Sequence, residues 1–495
     1  MNDSLCQSTL AQAKNKRPQY QRNNLKTGIM HLGCGSFHRA HQSVYTDSAL
    51  ARNADDWMIE GVSMRSSAIA KVLNPQDGLY TLIERSEQAT KSRIIGAIKI
   101  VHTLPELGLD IIPLMLRDEI RIVSLTVTEK AYYLDHKSGG LAINHPDIVT
   151  DLHNNQQANG KCPKTVPGLL VTALSACRES GKVPFTLLSC DNLSNNGKVL
   201  QRVVCDFAKQ LDSELAKWIK ENVSFPATMV DRITPAPTSK TLIDAKNLTG
   251  LQDASPIETE AFSQWVIEDD FPQGRPDWQG DGLIFTKDIA PFEEMKLRML
   301  NGTHSMLAYS GFIAGRVYVK DVMTDRNHAL LVKKYLAEAK QTIPAIKGLD
   351  LNNYAEQLCQ RFINPAIEHK VEQIAMDGTQ KIPLRISAPA TEALAKGLSI
   401  NCFAFATAAW MRYCLGIDEN GQDFVVSDPR ACEISTALNN SANANEIYTA
   451  LSQLTGLFPI ALTSNPVWEK SVVSKLSLML KSGMMAAIKQ EINKI

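Results

Sequence analysis

One run near the middle of the chain, residues 291–307, gathers the side chains best suited to proton and hydrogen-bond chemistry: Glu293, Lys296, Asn301 and His304. Met, Leu and Lys favour helix and proline is tolerated in a first turn, so the run predicts a helix. At about 100° per residue the four polar side chains fall within an arc of about 140°, leaving Leu297, Leu300 and Leu307 to pack elsewhere. A carboxylate, an amine, an amide and an imidazole on one face form either a solvated stripe or a site, because buried polar groups need partners or a ligand. Gly302 favours a site: glycine inside a helix costs roughly 1 kcal/mol relative to alanine and marks a close approach by something else.

This set suits hydride transfer at a secondary alcohol or ketone. Lys296 can move the hydroxyl proton if burial and neighbouring charge bring its pKa toward working pH. The amides of Asn301 and Asn192 can donate to the oxygen as negative charge develops on it. His304 can hold a substrate hydroxyl and orient Lys296, and Glu293, one turn earlier, can relay the proton to water. An ammonium and two amides polarise the oxygen between them, so no metal is expected.

The elements needed to position such groups are legible upstream. Residues 28–32 read as a strand, and Gly33-Cys34-Gly35-Ser36-Phe37-His38-Arg39 then leads into a helix over 44–50. Strand, glycine turn and helix open a dinucleotide-binding unit, in which Gly33 permits the sharp turn and Gly35 lets backbone approach a pyrophosphate at a helix N-terminus. His38 stands where a third glycine is usual, and a plain glycine turn is the competing reading. The second strand, 58–63, runs into Met64-Arg65-Ser66-Ser67 with no acid for a ribose. NAD and NADP both remain open on these residues.

Further strands are expected at 94–101, 122–127, 185–190 and 227–230. Three of these end in polar residues: Thr128-Glu129-Lys130, Asp191-Asn192 and Asp231-Arg232. Ligands of open α/β sheets bind at that edge, although Glu129–Lys130 also fits a surface pair and Asn192 a simple turn. Residues 134–168 are polar and read as a long excursion. From about 286 the texture becomes helical, over 291–311, 326–341, 353–362, 365–376, 388–397, 402–415, 429–439, 445–454 and 466–492. The fold class is therefore α/β: a loose leader (1–26), a Rossmann-type domain (27–285) and a mostly α-helical domain (286–495).

Composition narrows the function. The 495 residues carry 52 basic and 52 acidic side chains, for a formal net charge of zero, so no basic footprint suggests nucleic acid or an anionic membrane. No stretch approaches the roughly 18 apolar residues of a membrane span. The first 25 residues are not a secretory signal. Ten scattered cysteines form no CxxC pair, which fits reduced thiols in the cytoplasm and argues against zinc.

Taken in order, Gly33-x-Gly35-x-Phe37-His38-Arg39-Ala40-His41-Gln42, Ser124-Leu125-Thr126-Val127-Thr128-Glu129, Cys190-Asp191-Asn192, Val230-Asp231-Arg232-Ile233-Thr234-Pro235 and Lys296-x5-Gly302-x-His304 resemble the mannitol dehydrogenase family over nearly the whole chain. The resemblance implies a metal-independent site built on Lys296, Asn301 and His304, with Asn192 completing an oxyanion hole, Glu293 as proton relay and Asp231 nearby. It implies an NAD(H)-dependent enzyme that is a monomer or weak oligomer. Phe37, His38, Arg39, Thr128 and Glu129 join Gly33 and Gly35 as expected cofactor contacts.

Within the family, Trp265-Val266-Ile267-Glu268-Asp269, Gly274-Arg275-Pro276-Asp277-Trp278 and residues 373–383 look most like the fructuronate reductases, also called mannonate oxidoreductases. That branch acts on a sugar acid, whose carboxylate needs a cationic partner once buried. Arg361, His369 and Lys370 are the expected substrate contacts, with Lys381 and Arg385 beyond. Lysine at 370, where relatives tend to have arginine, keeps the charge but loses the bidentate fork. The implied reaction is NADH-dependent reduction of D-fructuronate to D-mannonate. The competing readings are a mannitol 2-dehydrogenase, a tagaturonate (altronate) or other polyol oxidoreductase, and a nucleotide sensor without turnover. Intact Lys296, Asn192, Asn301 and His304 count against the sensor.

Overall fold

Residues Thr27–Leu32 form β1, and four parallel neighbours complete its sheet: β2 (Met58–Ser63), β3 (Ile98–Thr103), β4 (Ile122–Leu125) and β5 (Thr186–Ser189). The order is β3-β2-β1-β4-β5, that of the dinucleotide-binding Rossmann sheet, with the reversal of strand order between β1 and β4. The computed structural model describes residues 3–86, 89–135, 138–157, 161–280, 282–365 and 367–493. The chain divides into two compact units, Met1–Ile289 and Ala290–Ile495.

Both faces of the sheet are covered at its centre, and strands β1, β4 and β5 are buried from end to end. Side chains alternate along each strand. Val123, Leu125 and Leu187 pack with Leu170 of α1 (Val166–Glu179) and with Val203 and Phe207 of α2 (Asn196–Leu211). Ile29, Ile59, Ile122 and Leu188 point the other way, toward Val44 and Leu50 of the helix Gln42–Arg52 and toward Trp265 and Trp278. Each buried aliphatic contributes roughly 1.5–3 kcal/mol.

Local structure departs from expectation in several places, each with a cause. The single strand expected at 94–101 is two, Thr90–Ile95 and Ile98–Thr103, belonging to different sheets and broken at Gly96, where a side chain would strike Pro18 and Arg22. The polar excursion contains a helix, Pro146–Gln156, started by proline and by His145 accepting from the Asp147 amide. The leader is not loose: Leu5 and Leu10 pack with Leu79, Ile94 and Leu251. Arg22 is buried with its guanidinium on the Gly96 and Ile98 carbonyls, so its charge is satisfied by fixed dipoles.

The second unit is helical. Its centre is the helix Asn401–Tyr413, buried from Cys402 to Tyr413 and packed against Gly302–Ile313 and Pro466–Ser482. The last long helix expected, 466–492, breaks at Gly483 (φ +86°) into Pro466–Ser482 and Met484–Asn493. The helix expected at 365–376 shrinks to Val371–Ala375. Among the described residues no helix is long and apolar enough to cross a membrane.

A pair of histidines under the glycine turn gives the first unit an acid-sensitive core. His31 and His38 stack at 3.4 Å between ring centroids, both wholly buried. His31 bonds Ser124 Oγ and Thr126 Oγ1, both at 2.8 Å. Burial pushes the His31 imidazole down to about 3 and the His38 ring well below its ordinary value, the latter helped by neighbouring His31 and Arg39. An unfolded imidazole takes up its proton near pH 6.5 while these rings stay neutral, so stability is present above that pH and falls as pH drops below it. Each ring contributes about 1.4 kcal/mol per pH unit. His38→Gln should therefore flatten the dependence of urea-unfolding stability on pH below 6.5 by about that slope. An unchanged slope would show that the His38 ring is protonated in the folded protein.

Candidate active site

In the first unit, chemistry-bearing residues collect at the C-terminal edge of the sheet. Gly33 follows β1 with φ +92°, and a Cβ there would collide with the Thr126 carbonyl oxygen. Thr126 Oγ1 donates to the Gly33 carbonyl at 2.8 Å, lacing the ends of β1 and β4 together at the switch point. Gly35 is exposed, and a Cβ built on it would meet only the Gly33 carbonyl oxygen, at 3.8 Å. Side-chain-free, open backbone at a β1 turn fits the close approach of a dinucleotide phosphate. Phe37 is half-buried at this rim and stacks on His41 at 5.0 Å.

Two expected cofactor contacts have buried side chains. His38 is 0 % exposed and Arg39 3 %. Arg39 donates to the Ser255 carbonyl and hydroxyl at 2.8 Å each, and its own carbonyl accepts from Tyr80. The short helix Ser36–Ala40 packs against strand Ile257–Glu260, which turns both side chains into the core. Both side chains support the turn from within the core. Past β2, Arg65 is exposed, while the acid within that strand, Glu60, is committed to Thr27, His102 and Arg117. Those partners hold its carboxyl down to about 2 against the opposing effect of burial.

At the ends of β4 and β5, Thr128, Glu129 and Asn192 are all exposed. Beneath them lies Asp191, which accepts from the Val127 and Thr128 amides and the Tyr132 hydroxyl. Burial raises its carboxyl, partly offset by these donors. Asn196 locks the following turn from below, its amide donating to the carbonyls of Asp191 and Thr228. Asp231 ends the strand Thr228–Asp231 and is buried, and the adjacent Arg232 reaches the Ala40 and Glu260 carbonyls and the Glu84 carboxylate.

In the second unit, the helix carrying the lysine is not regular. Ala290–Met295 is α-helical, Lys296–Asn301 is a π-helical turn and Gly302–Ile313 is α-helical again. The wider i to i+5 turn brings Lys296 and Asn301 nearer to one face than α-helical spacing, which sets them about 140° apart. Glu293, Lys296, Asn301 and His304 are each no more than 9 % exposed, so a solvated stripe does not describe them. The turn is clamped by Arg298, whose buried guanidinium forks onto both Glu392 oxygens (2.8 and 2.7 Å) and also reaches the Thr342 carbonyl.

A second π turn, Pro383–Ser387, packs against the first. Gly302 is where they meet, since a Cβ there would strike the Tyr335 hydroxyl and stand 3.1 Å from the Arg385 carbonyl oxygen. Arg385 lies over the site helix, donating to Ser305 Oγ at 3.3 Å.

His304 lies tilted against Phe362 at 4.8 Å and meets His369 edge-on at 5.3 Å between ring centroids. Burial holds its imidazole well below the ordinary value, reinforced by His369, Arg361, Arg385 and Lys296. Its buried Nε2 has no hydrogen-bond partner among the described residues. Such an atom is costly unless something docks on it. Arg361 is buried and Lys370 is exposed. His369 is held down by burial and by Lys381. Among the described residues no group of three or more His, Cys, Asp or Glu is placed to hold a metal.

A Rossmann sheet with an open glycine turn, followed by a helical unit that buries a lysine, an asparagine and a histidine, defines a dehydrogenase. The chain belongs to the mannitol dehydrogenase family: residues 27–280 match the mannitol dehydrogenase Rossmann domain and residues 288–480 the mannitol dehydrogenase C-terminal domain. It is 41% identical over 476 residues to a D-mannonate oxidoreductase of Escherichia coli K12, covering 94% of this chain and 96% of that one. An uncharacterized oxidoreductase of the same bacterium, YdfI, is 39% identical over 484 residues, covering 97% and 98%. Among solved structures, the ternary complex of Pseudomonas fluorescens mannitol 2-dehydrogenase with NAD and D-mannitol superposes with a TM-score of 0.86 at 34% identity, over 99% of this chain and 100% of that one.

Proposed function

We propose that this protein is the reductase that converts D-fructuronate to D-mannonate with NADH, reversibly. It is an NAD-dependent oxidoreductase, consistent with the NAD held by its mannitol 2-dehydrogenase relative and with the open Gly33–Gly35 turn. When bound, NADH supplies the hydride. Lys296 gives its proton to the ketone oxygen as the alcohol forms and takes it back in the reverse direction. Asn301 and Asn192 donate amide hydrogens to that oxygen as its charge grows. His304, neutral over the working range, offers its unpartnered Nε2 to a substrate hydroxyl, and Glu293 relays the proton. Asp231 lines the site, and Gly33, Gly35, Phe37, Thr128 and Glu129 serve the cofactor. The enzyme works in the cytoplasm as a monomer or weak oligomer.

The observation that carries the acid-substrate reading is the set of cationic side chains around His304: Lys296, Arg361 and Arg385 all bear on its imidazole. A hexuronate carboxylate answers that field, whereas a neutral polyol does not. The 41% identity to a D-mannonate oxidoreductase supports the same choice. The fit to mannitol 2-dehydrogenase favours a second reading, oxidation of free polyols. Following NADH consumption with D-fructuronate, D-tagaturonate and D-fructose separates the two. Fructuronate should be the fastest, and Lys370→Ala should lower its kcat/KM by about 10- to 100-fold while sparing fructose, the range expected for one hydrogen bond to a charged group. A preference for fructose in both proteins would replace the uronate reading with the polyol one.

A further inference from the structure

Thr128 occupies φ +75°, ψ 157°, a region essentially reserved for glycine and genuinely strained for a β-branched residue. It is not isolated. Of the non-glycine residues with positive φ, Thr128, Tyr133 and Asn195 all flank the ends of β4 and β5. Glycine at 128 would give the same backbone without strain, so a threonine there indicates that its side chain is needed. That side chain is exposed at the sheet edge where a dinucleotide lies. A buried carboxylate holds the conformation. Asp191 accepts from the Thr128 amide at 2.9 Å, the Val127 amide at 3.2 Å and the Tyr132 hydroxyl at 2.7 Å, and Tyr132 is tied in turn to Ser189 Oγ at 2.6 Å.

We propose that Asp191 is a positioning residue that forces Thr128 into a glycine-only conformation so that the Thr128 side chain bears on the bound dinucleotide, and that the same carboxylate fixes the neighbouring Asn192. The inference rests on the NAD-dependent reading for its ligand, but the strain itself is a property of the ligand-free protein. The same carboxylate serves two strand ends, so the cofactor loop after β4 and the amide after β5 keep one register.

The test compares Thr128→Ala, which keeps the strain and removes the hydroxyl and methyl, with Thr128→Gly, which relieves the strain as well. Thermal unfolding and NADH fluorescence titration are measured on each full-length protein. Thr128→Gly should unfold about 2–4 °C above Thr128→Ala. Both should bind NADH about 3- to 30-fold more weakly than the parent, the loss expected for one side-chain contact. Asp191→Asn should lower the unfolding temperature and weaken NADH, and its thermal cost should shrink in the Thr128→Gly background because no strain is left to hold. A Thr128→Gly protein no more stable than Thr128→Ala overturns the strain. Parental NADH affinity in both variants overturns the contact. A parent that fails to bind NADH counts against the NAD-dependent reading instead, and the temperature comparison still decides the strain.

Discussion

Replacing Lys296 with alanine is expected to lower kcat for ketone reduction by roughly 10²- to 10⁴-fold, the range a positioned general acid supplies, while NADH affinity stays within a few-fold of the parent. The reason lies in how the chain holds this amine. It is no more than 8 % exposed, it opens a π turn that aligns it with Asn301, and that turn is fixed from behind by the Arg298–Glu392 fork. A group so constrained has already lost the freedom that would otherwise be lost at the transition state. Two further readouts separate loss of a proton donor from loss of structure. The limb of the kcat–pH profile due to the lysine should vanish in the variant. Small primary alkylammonium ions in the buffer should restore part of the rate of ketone reduction, the more acidic ones restoring more at equal concentration. Turnover that survives the substitution, with its pH profile intact, would remove Lys296 from the chemistry.

The sequence reveals best what periodicity and chemistry encode together. Strands β1, β4 and β5 are short, mostly apolar runs followed by a glycine turn or by polar residues, so both the parallel sheet and its functional edge follow from order along the chain. Gly302 is legible as a close approach because helix interiors disfavour glycine, and the structure supplies the approaching atoms, Tyr335 Oη and the Arg385 carbonyl. What local sequence does not encode is where a partner comes from. The motif Phe37-His38-Arg39 looks uniform as text, yet Phe37 stays at the rim while His38 and Arg39 turn inward, decided by the strand at Ile257–Glu260 more than 200 residues later. The π turn is invisible for a similar reason. Lys296–Asn301 has ordinary helix formers, and the extra residue per turn is held by tertiary contacts to Thr342 and Glu392. Asp191 reads as a cap or turn residue, and its hold on Thr128 appears only when β4 and β5 are neighbours.

Gly302→Ala should do damage out of proportion to one methyl group. The added carbon would stand against the Tyr335 hydroxyl and 3.1 Å from the Arg385 carbonyl oxygen, and Tyr335 is itself fully buried and cannot swing away. The two π turns must therefore separate. Overpacking of this kind costs roughly 1–3 kcal/mol of stability. The larger effect falls on kcat, because separation shifts the turn that aligns Lys296 and Asn301, and misplacement by about 1 Å can cost about 10²-fold. The clash is specific enough to be relieved by design. Tyr335→Phe deletes the offending oxygen and its 3.4 Å bond to the Arg385 carbonyl, a loss of about 1 kcal/mol by itself. In the Gly302→Ala background it leaves ring carbon Cζ as the nearest atom of that side chain, at 3.1 Å, a contact that small shifts accommodate. The double variant should thus be more active and more stable than Gly302→Ala alone, although each substitution is harmful singly. Steady-state kinetics and urea unfolding on the four proteins of this cycle read the coupling directly. Additive losses would mean that the two π turns do not need their close contact to hold the lysine in place.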